Sequence, residues 1–269
     1  MTVQANPQER PAGLGDLSLA GKTALVTGGG GGLGKQMALA LAEAGADLVL
    51  VGRRRELLEQ TATEVETSAT VVPGDVTSEE TLAELAGLAG DVDILVNNAG
   101  LAIYHKPWLE QTTGDWNETM AVNVIAPFRL CQVFAPSMVS RGWGRIINIS
   151  SIYGILGVDT RRYASLGDFD VPAYASSKHA LIGLTRYLGC RLATTGVTVN
   201  SLSPGMFPGT EQNADMTESE LLFQLSHGAP MERVGVTDDL GAAVVFLASP
   251  GAKFVTGQNL VVDGGWSVW

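Results

Sequence analysis

Short apolar runs of strand length recur along this chain, separated by longer stretches with a helical repeat, and that alternation restricts the fold more than any other feature. Thr23–Thr27 is followed by a helical pattern over Leu33–Ala44 and by a second run at Asp47–Val51, which makes a strand–helix–strand unit. Further runs follow at Ala69–Val72, Asp93–Asn97, Arg145–Ser150, Thr198–Leu202 and Asn259–Val262, bounded by Gly, Asn, Asp or Pro. Such runs suit parallel strands buried on both faces. Helices are expected at Ser78–Leu88, Trp116–Met138, Ala173–Thr194 and Asp238–Ala248. The fold class is therefore α/β, a doubly wound parallel sheet with ligands outside the carboxyl ends of its strands. A chain of 269 residues fits one core, so residues 19–269 read as a single domain behind a flexible leader at 1–18.

Charge and composition remove several functions. The net charge is -11 and the only basic cluster is Arg53-Arg54-Arg55, so nucleic acid is not an expected partner. No uninterrupted apolar stretch has the length of a membrane span, and the polar N-terminus lacks a signal core, so a cytoplasmic protein without a membrane partner is expected. The two cysteines, Cys131 and Cys190, sit in no ligand or redox motif and read as reduced thiols, a disulfide between them staying open. His105, His179 and His227 are scattered, so no metal is expected.

The first strand runs into Thr27-Gly28-Gly29-Gly30-Gly31-Gly32-Leu33-Gly34 and then into a helix, the setting of a nucleotide-binding loop. Gly28, Gly32 and Gly34 let the backbone approach a pyrophosphate, and the helix start at Leu33 offers free N–H groups. After the second strand the chain reads Arg53-Arg54, where a ribose-binding carboxylate would stand in an NAD(H) protein. Two guanidiniums suit a 2′-phosphate, which favours NADP(H) while leaving NAD(H) possible. Asp75 and Val76 would meet the adenine amino group and ring, and Asn98, Ala99 and Gly100 would let the fourth strand end pass close to adenosine. Each segment also suits a plain strand-end turn.

In Tyr174-Ala175-Ser176-Ser177-Lys178 the four-residue spacing puts a phenol and an ammonium on one helix face, and Ser151 ends a strand at the same sheet edge. A hydride leaving a carbinol carbon must be matched by a proton leaving its oxygen, and a tyrosine takes that proton only if its pKa falls by roughly three units, about 4 kcal/mol. One positive charge at ~4 Å in an effective dielectric near 20 supplies about that much, which makes Lys178 a sufficient cause on its own.

With Thr27-Gly28…Gly32-Leu33-Gly34, Asp75, Asn97-Asn98-Ala99-Gly100, Asn123, Ser151, Tyr174…Lys178 and Pro204-Gly205 in order, the chain resembles the short-chain dehydrogenase/reductases from Leu19 to Trp269. The resemblance implies a Rossmann-type sheet of seven strands and a homotetramer; the Trp116–Met138 helix and the Trp266–Trp269 tail suit interface elements, and the apolar helix suits the core equally. It makes Tyr174 the acid/base and Ser151 a donor to the substrate oxygen. Lys178 would also bond the nicotinamide ribose, Asn123 would hold a relay water, and Pro204 and Gly205 would approach the nicotinamide.

Three departures stand out. The segment between Ser151 and Tyr174 is enlarged, and it brings in a rival phenol, Tyr163, with Gly167 where a lysine partner would stand. Gly31 occupies a loop position that is basic in many NADP(H)-preferring relatives. Thr210 follows Pro204-Gly205 one residue later than is usual for a carboxamide contact. Substrate choice is expected from loops at 153–171 and 206–235, with Arg161, Arg162 and Tyr163 as candidate contacts; the two arginines would meet a carboxylate or stay solvated. Ser150-Ser151-Ile152-Tyr153-Gly154 and the Asp263-Gly264-Gly265-Trp266 ending are similar to sugar-acid and polyol (gluconate-type) dehydrogenases, which implies a polyol, sugar or sugar acid as the small-molecule alcohol or carbonyl substrate. Two rivals stay open: an NADPH-dependent reductase of less polar cyclic or acyl ketones, and a non-catalytic NADP(H)-sensing module.

Overall fold

The structure, a computed structural model, describes residues 14–88, 90–104, 106–166, 169–208 and 219–269. Most of the leader, His105, Gly167, Asp168 and Thr210 therefore lie outside the described residues. Seven strands form one parallel sheet: β1 (Thr23–Thr27), β2 (Asp47–Gly52), β3 (Ala69–Pro73), β4 (Ile94–Asn97), β5 (Gly144–Ile149), β6 (Val197–Pro204) and β7 (Asn259–Val262). Their order is β3-β2-β1-β4-β5-β6-β7, so the chain winds outward from β1 to β3, crosses back to β4 and winds the other way. That reversal opens a crevice between the carboxyl ends of β1 and β4.

Burial explains the strand residues. Every residue of β5 and β6 is buried, as central strands covered on both faces require. Along β1, Ala24 and Val26 join one core while Leu25 joins the other, because successive side chains point to opposite faces. The first core is closed by α1 (Gly32–Glu43) and α8 (Gly241–Ala248) through Met37, Leu41, Val244 and Leu247. The second is closed by α3 (Glu79–Ala86) and α5 (Ala126–Arg141) through Leu82, Leu85, Leu130, Phe134 and Met138. α2 (Arg55–Thr63), α4 (Thr113–Met120), α6 (Pro172–Leu192) and α7 (Ser219–Ser226) complete the helices.

One expectation is corrected here. The Trp116–Met138 helix is longer, running from Thr113 to Arg141 as α4 and α5 joined by a π-turn at Ala121–Ile125. Its most apolar 18-residue window has a mean hydropathy of 1.3, enough by length and composition to cross a membrane, although Asn123, Arg129 and Gln132 interrupt the apolar run. In this fold its Leu130, Phe134 and Met138 are spent on the core over the sheet. Cys131 and Cys190 are free thiols, as expected, the first buried and the second exposed, and the alternative of a disulfide between them falls away.

Candidate active site

The carboxyl ends of the strands bring the glycine loop, β4's end, β5's end and α6 together. Thr27 is the hinge of the crevice, since its Oγ1 accepts hydrogen bonds from the backbone N–H groups of Asn98 (2.9 Å) and Ala99 (2.9 Å). Asn98 Nδ2 returns a bond to the Thr27 carbonyl at 2.9 Å. Glycine is required beside this clasp. Gly28 has φ +69°, and a Cβ on Gly34 would stand 2.2 Å from the Gly28 carbonyl oxygen and 2.4 Å from Asn98 Nδ2. Gly31, Leu33, Gly34, Asn98 and Gly100 line a cleft of about 380 Å³, a volume suited to a small-molecule site.

Two of the adenosine-side residues sit differently from expectation. Arg53 is exposed on the cleft wall, forms no salt bridge among the described residues, and its charge helps hold Asp75 below the usual carboxylate range, after the stronger effect of two hydrogen bonds from Thr77. Arg54 instead occupies the N-cap position of α2 and is not part of the cleft lining, because the chain turns into the helix there. Val76 is buried in the second core with Leu82 and Leu95, which leaves it little surface for an adenine ring.

At the other end, Tyr174 sits in the first turn of α6 and lines the cleft with Ser151, which follows β5 and is near enough to pull the phenol's pKa down against the effect of burial. Ser151 Oγ also accepts from the Tyr153 N–H at 3.1 Å, which fixes its rotamer. One turn along α6, Lys178 is buried; its Nζ donates to the Ile149 carbonyl at 2.8 Å and lies 5.4 Å from the centre of the Tyr174 ring. Asn123 sits inside the π-turn, where a side chain is pushed out of the regular helical register. Its amide donates to the Leu101 carbonyl and to Ser177 Oγ, both at 2.9 Å, and accepts from the Leu101 N–H at 2.8 Å. Gly100 packs between Asn123 and Lys178. On the opposite wall Pro204 ends β6, and Gly205 lies so close to Asp263 that a Cβ would be 2.6 Å from its Cα.

The electrostatics correct the role expected of Lys178. Burial pushes the Lys178 ammonium down to about 8, and burial pushes the Tyr174 phenol above its ordinary value, with Ser151 opposing that rise. The lysine is engaged with a backbone carbonyl and is itself desolvated. It is therefore not, on its own, a sufficient cause of a lowered tyrosine pKa. A further positive charge at the cleft floor is needed to bring the phenol into working range.

The enlarged segment closes the substrate end. Thr160–Leu166 forms two 3-10 turns kinked at Tyr163, and Tyr163 joins a third apolar cluster with Ile152, Tyr153, Phe169, Val171, Leu221 and Leu225. Tyr163 lines the cleft, is 1% exposed, stacks on Phe169 at 4.0 Å and hydrogen-bonds Tyr153. It is thus placed as a wall residue; Ser151 serves Tyr174 instead. Arg161 and Arg162 do not reach the cleft. Arg161 is bidentate with Asp159 (2.7 and 3.0 Å) with its side chain 90% exposed, and Arg162 lies over the Trp266 ring at 4.8 Å. The Asp159 carboxylate two and three residues away captures both guanidiniums locally.

A family model described as enoyl-(acyl carrier protein) reductase matches residues 29–267, nearly the whole sheet and both ends of the cleft. The chain is a short-chain dehydrogenase/reductase. It is 40% identical over 256 residues to the galactitol 2-dehydrogenase (L-tagatose-forming) of Cereibacter sphaeroides, covering 93% of this chain and 97% of that one. It is 35% identical to the 2-dehydro-3-deoxy-D-gluconate 5-dehydrogenase of Bacillus subtilis, covering 93% and 96%. Among solved structures it is similar to a gluconate 5-dehydrogenase from Burkholderia cenocepacia J2315 in complex with NADP and tartrate, with 33% identity, 95% and 99% coverage and a TM-score of 0.85.

Four residues of this short-chain dehydrogenase/reductase contribute to the site without a clear signal in the sequence. Thr27 was visible only as the residue before the glycines, and Ser177 only as filler between Tyr174 and Lys178. Tyr153 and Phe169 carry no periodic signal, since they lie in an irregular segment and meet Tyr163 there.

Proposed function

We propose that this protein is an NADP(H)-dependent oxidoreductase interconverting a secondary alcohol and a ketone, with Tyr174 as acid/base. The observation that carries this reading is the grouping of Ser151, Tyr174 and buried Lys178 in one cleft that also contains the glycine loop and Arg53. The residues present fit a dinucleotide: Gly28, Gly32, Leu33 and Gly34 offer the phosphate cradle, Arg53 faces the 2′ position, and Pro204 and Gly205 leave a smooth wall near the nicotinamide. When bound, the cofactor supplies hydride transfer and, in its oxidised form, a positive ring charge.

The chain's own residues move the proton. In alcohol oxidation Ser151 and Tyr174 hold the substrate oxygen, and Tyr174 accepts its proton as the C–H bond is broken. In ketone reduction Tyr174 returns a proton to the oxygen. Lys178 stabilises the ionised phenol and anchors the nicotinamide ribose, and Asn123 holds the relay water that links Lys178 to solvent. The named activities of the relatives support a polyol, sugar or sugar acid as substrate. The aromatic walls favour a less polar ketone, and among the described lining residues only Lys178 and Arg53 carry positive charge to meet a carboxylate. A panel of ketoses, keto acids and simple ketones, followed by NADPH consumption, separates these; turnover confined to keto acids would count against a neutral substrate.

Cofactor choice rests on Arg53. Arg53→Asp is expected to lower the ratio of NADP to NAD kcat/KM by about 10- to 100-fold, through loss of a phosphate contact and gain of like-charge repulsion. An unchanged ratio would show that another residue reads the 2′ position.

A cytoplasmic homotetramer is the assembly we propose. Ile125 (53% exposed) and Phe128 (39%) on α4–α5, Tyr187 (65%) on α6 and Trp269 (72%) at the tail are large apolar groups left at the surface. Light scattering should give four times the 28.2 kDa chain mass, and a monomer would contradict the assignment.

A further inference from the structure

The third apolar cluster contains one polar feature that the proton-transfer chemistry does not use. Tyr153 and Tyr163 place their hydroxyls against each other inside the cleft wall, and Tyr163 also donates to Met206 Sδ at 3.2 Å. Around them the lining is Tyr104, Phe169, Val171, Met206, Phe207 and Leu225, with no carboxylate or second cation among the described residues at that end. Two buried phenols facing each other are an expensive arrangement unless their remaining hydrogen-bonding capacity is met.

The pair keeps one hydrogen-bonding capacity open to the cleft. Each hydroxyl has one proton and two lone pairs. When Tyr163 donates to Met206, Tyr153 donates to Tyr163 and turns a lone pair to the cleft. When Tyr163 donates to Tyr153, the Tyr153 proton points to the cleft instead. Tyr153 is the more open of the two, at 7% exposed against 1%. The pair is therefore a single neutral handle that switches between acceptor and donor. Burial pushes the Tyr153 phenol up to about 12 and Tyr163 higher still, so both stay protonated in any working range. Tyr174 lies close enough that its ionisation raises both, which puts the handle beside the reacting centre.

We propose that Tyr153 and Tyr163 form a substrate-recognition subsite for a second, neutral oxygen function near the reacting carbon, set in an otherwise apolar aromatic pocket. The substrate class is then a hydroxy ketone, or the corresponding diol, with an apolar remainder. Tyr163 comes from the enlarged segment before Tyr174, so that segment supplies the specificity. The inference rests on the alcohol–ketone reading above and names its substrate class.

Matched ketones test it: 3-hydroxybutan-2-one against butan-2-one, and 1-hydroxy-1-phenylpropan-2-one against phenylacetone, each with NADPH. For the wild type, kcat/KM is expected to be at least about tenfold higher for each hydroxy ketone than for its parent, since a site built around a hydrogen bond discriminates against the analogue that lacks it. Tyr153→Phe and Tyr163→Phe should each reduce that ratio about tenfold, mainly through KM. NADPH fluorescence checks that each variant still folds, and if one does not, the other variant and the wild-type ratio decide. A wild-type ratio near one, or a ratio unchanged in the folded variants while ketones are still reduced, overturns the subsite. No turnover of any ketone is a different result: it overturns the oxidoreductase reading and the subsite with it.

Discussion

Tyr174→Phe is expected to reduce turnover about 10³-fold or more while leaving NADPH binding within about twofold of the wild type. The substitution removes one oxygen atom and keeps the ring that α6 packs into the cleft. Without the phenol, the proton leaving or reaching the substrate oxygen has no positioned partner, and general acid–base catalysis by a placed side chain typically contributes about 10²–10⁴. Ser151 remains, but a serine hydroxyl held by the Tyr153 N–H is a hydrogen-bond donor and no substitute base. Steady-state kinetics with NADPH fluorescence titration separates loss of chemistry from loss of binding. An active Tyr174→Phe with an inactive Tyr163→Phe would transfer the role to the other phenol. The structure argues against that result, because Tyr163 is tied to Tyr153 and Met206 and its phenol is pushed up by burial.

Lys178→Met should lower kcat by about 10²-fold or more and, unusually for an active-site change, should not destabilise the apoprotein at neutral pH. Lys178 is 3% exposed and its pKa is lowered to about 8 by burial, against an ordinary 10.5. A lysine whose folded-state pKa is depressed penalises the folded state wherever it is charged in the unfolded chain. The penalty is full below about pH 8, where both states are charged, and disappears as pH rises through the ordinary lysine value. The depression corresponds to about 3 kcal/mol. Met fills the same space without the penalty, but it leaves the Ile149 carbonyl without its 2.8 Å donor, a loss of about 1–3 kcal/mol. Near pH 7 the two effects nearly cancel. By pH 10.5 the wild type has regained its share and the variant has not. Urea denaturation of both proteins at pH 7 and pH 10.5 should therefore show the wild type gaining about 2–3 kcal/mol relative to Lys178→Met over that interval. Parallel pH dependence of the two would mean that the lysine is not desolvated as the structure has it.

How much of this was legible in the sequence follows from the range of the forces involved. β1 and β7 are legible to the residue, and the remaining strands to within two, because buried parallel strands write continuous apolar runs into the chain. The helix Arg55–Thr63 was not anticipated: its two buried residues, Leu58 and Thr61, give too narrow a stripe among charged neighbours. The π-turn that carries Asn123 has no local signature, since its extra residue is accommodated by contacts with Leu101 and Ser177, 22 and 54 residues away. Ser151, Tyr174 and Lys178 could be assigned together because strand ends and a four-residue helical spacing fix their placement. The division of labour between Arg53 and Arg54 could not, because it depends on which of two adjacent residues turns into α2. The direction of the Lys178 ammonium was equally hidden: a sequence shows that the phenol and amine share a face, while the competing Ile149 carbonyl ends β5, 29 residues away.

Hydride transfer itself can be followed with NADPH deuterated at the transferred position of nicotinamide C4, incubated with the ketone panel and the wild type or Tyr174→Phe. Mass spectrometry and NMR of the alcohol products should place deuterium on the carbinol carbon with the wild type, and detect essentially none with Tyr174→Phe. Tight NADPH binding with no label transferred to any ketone by the wild type would make this a cofactor-sensing protein, and the assignment of Tyr174 as acid/base would fall.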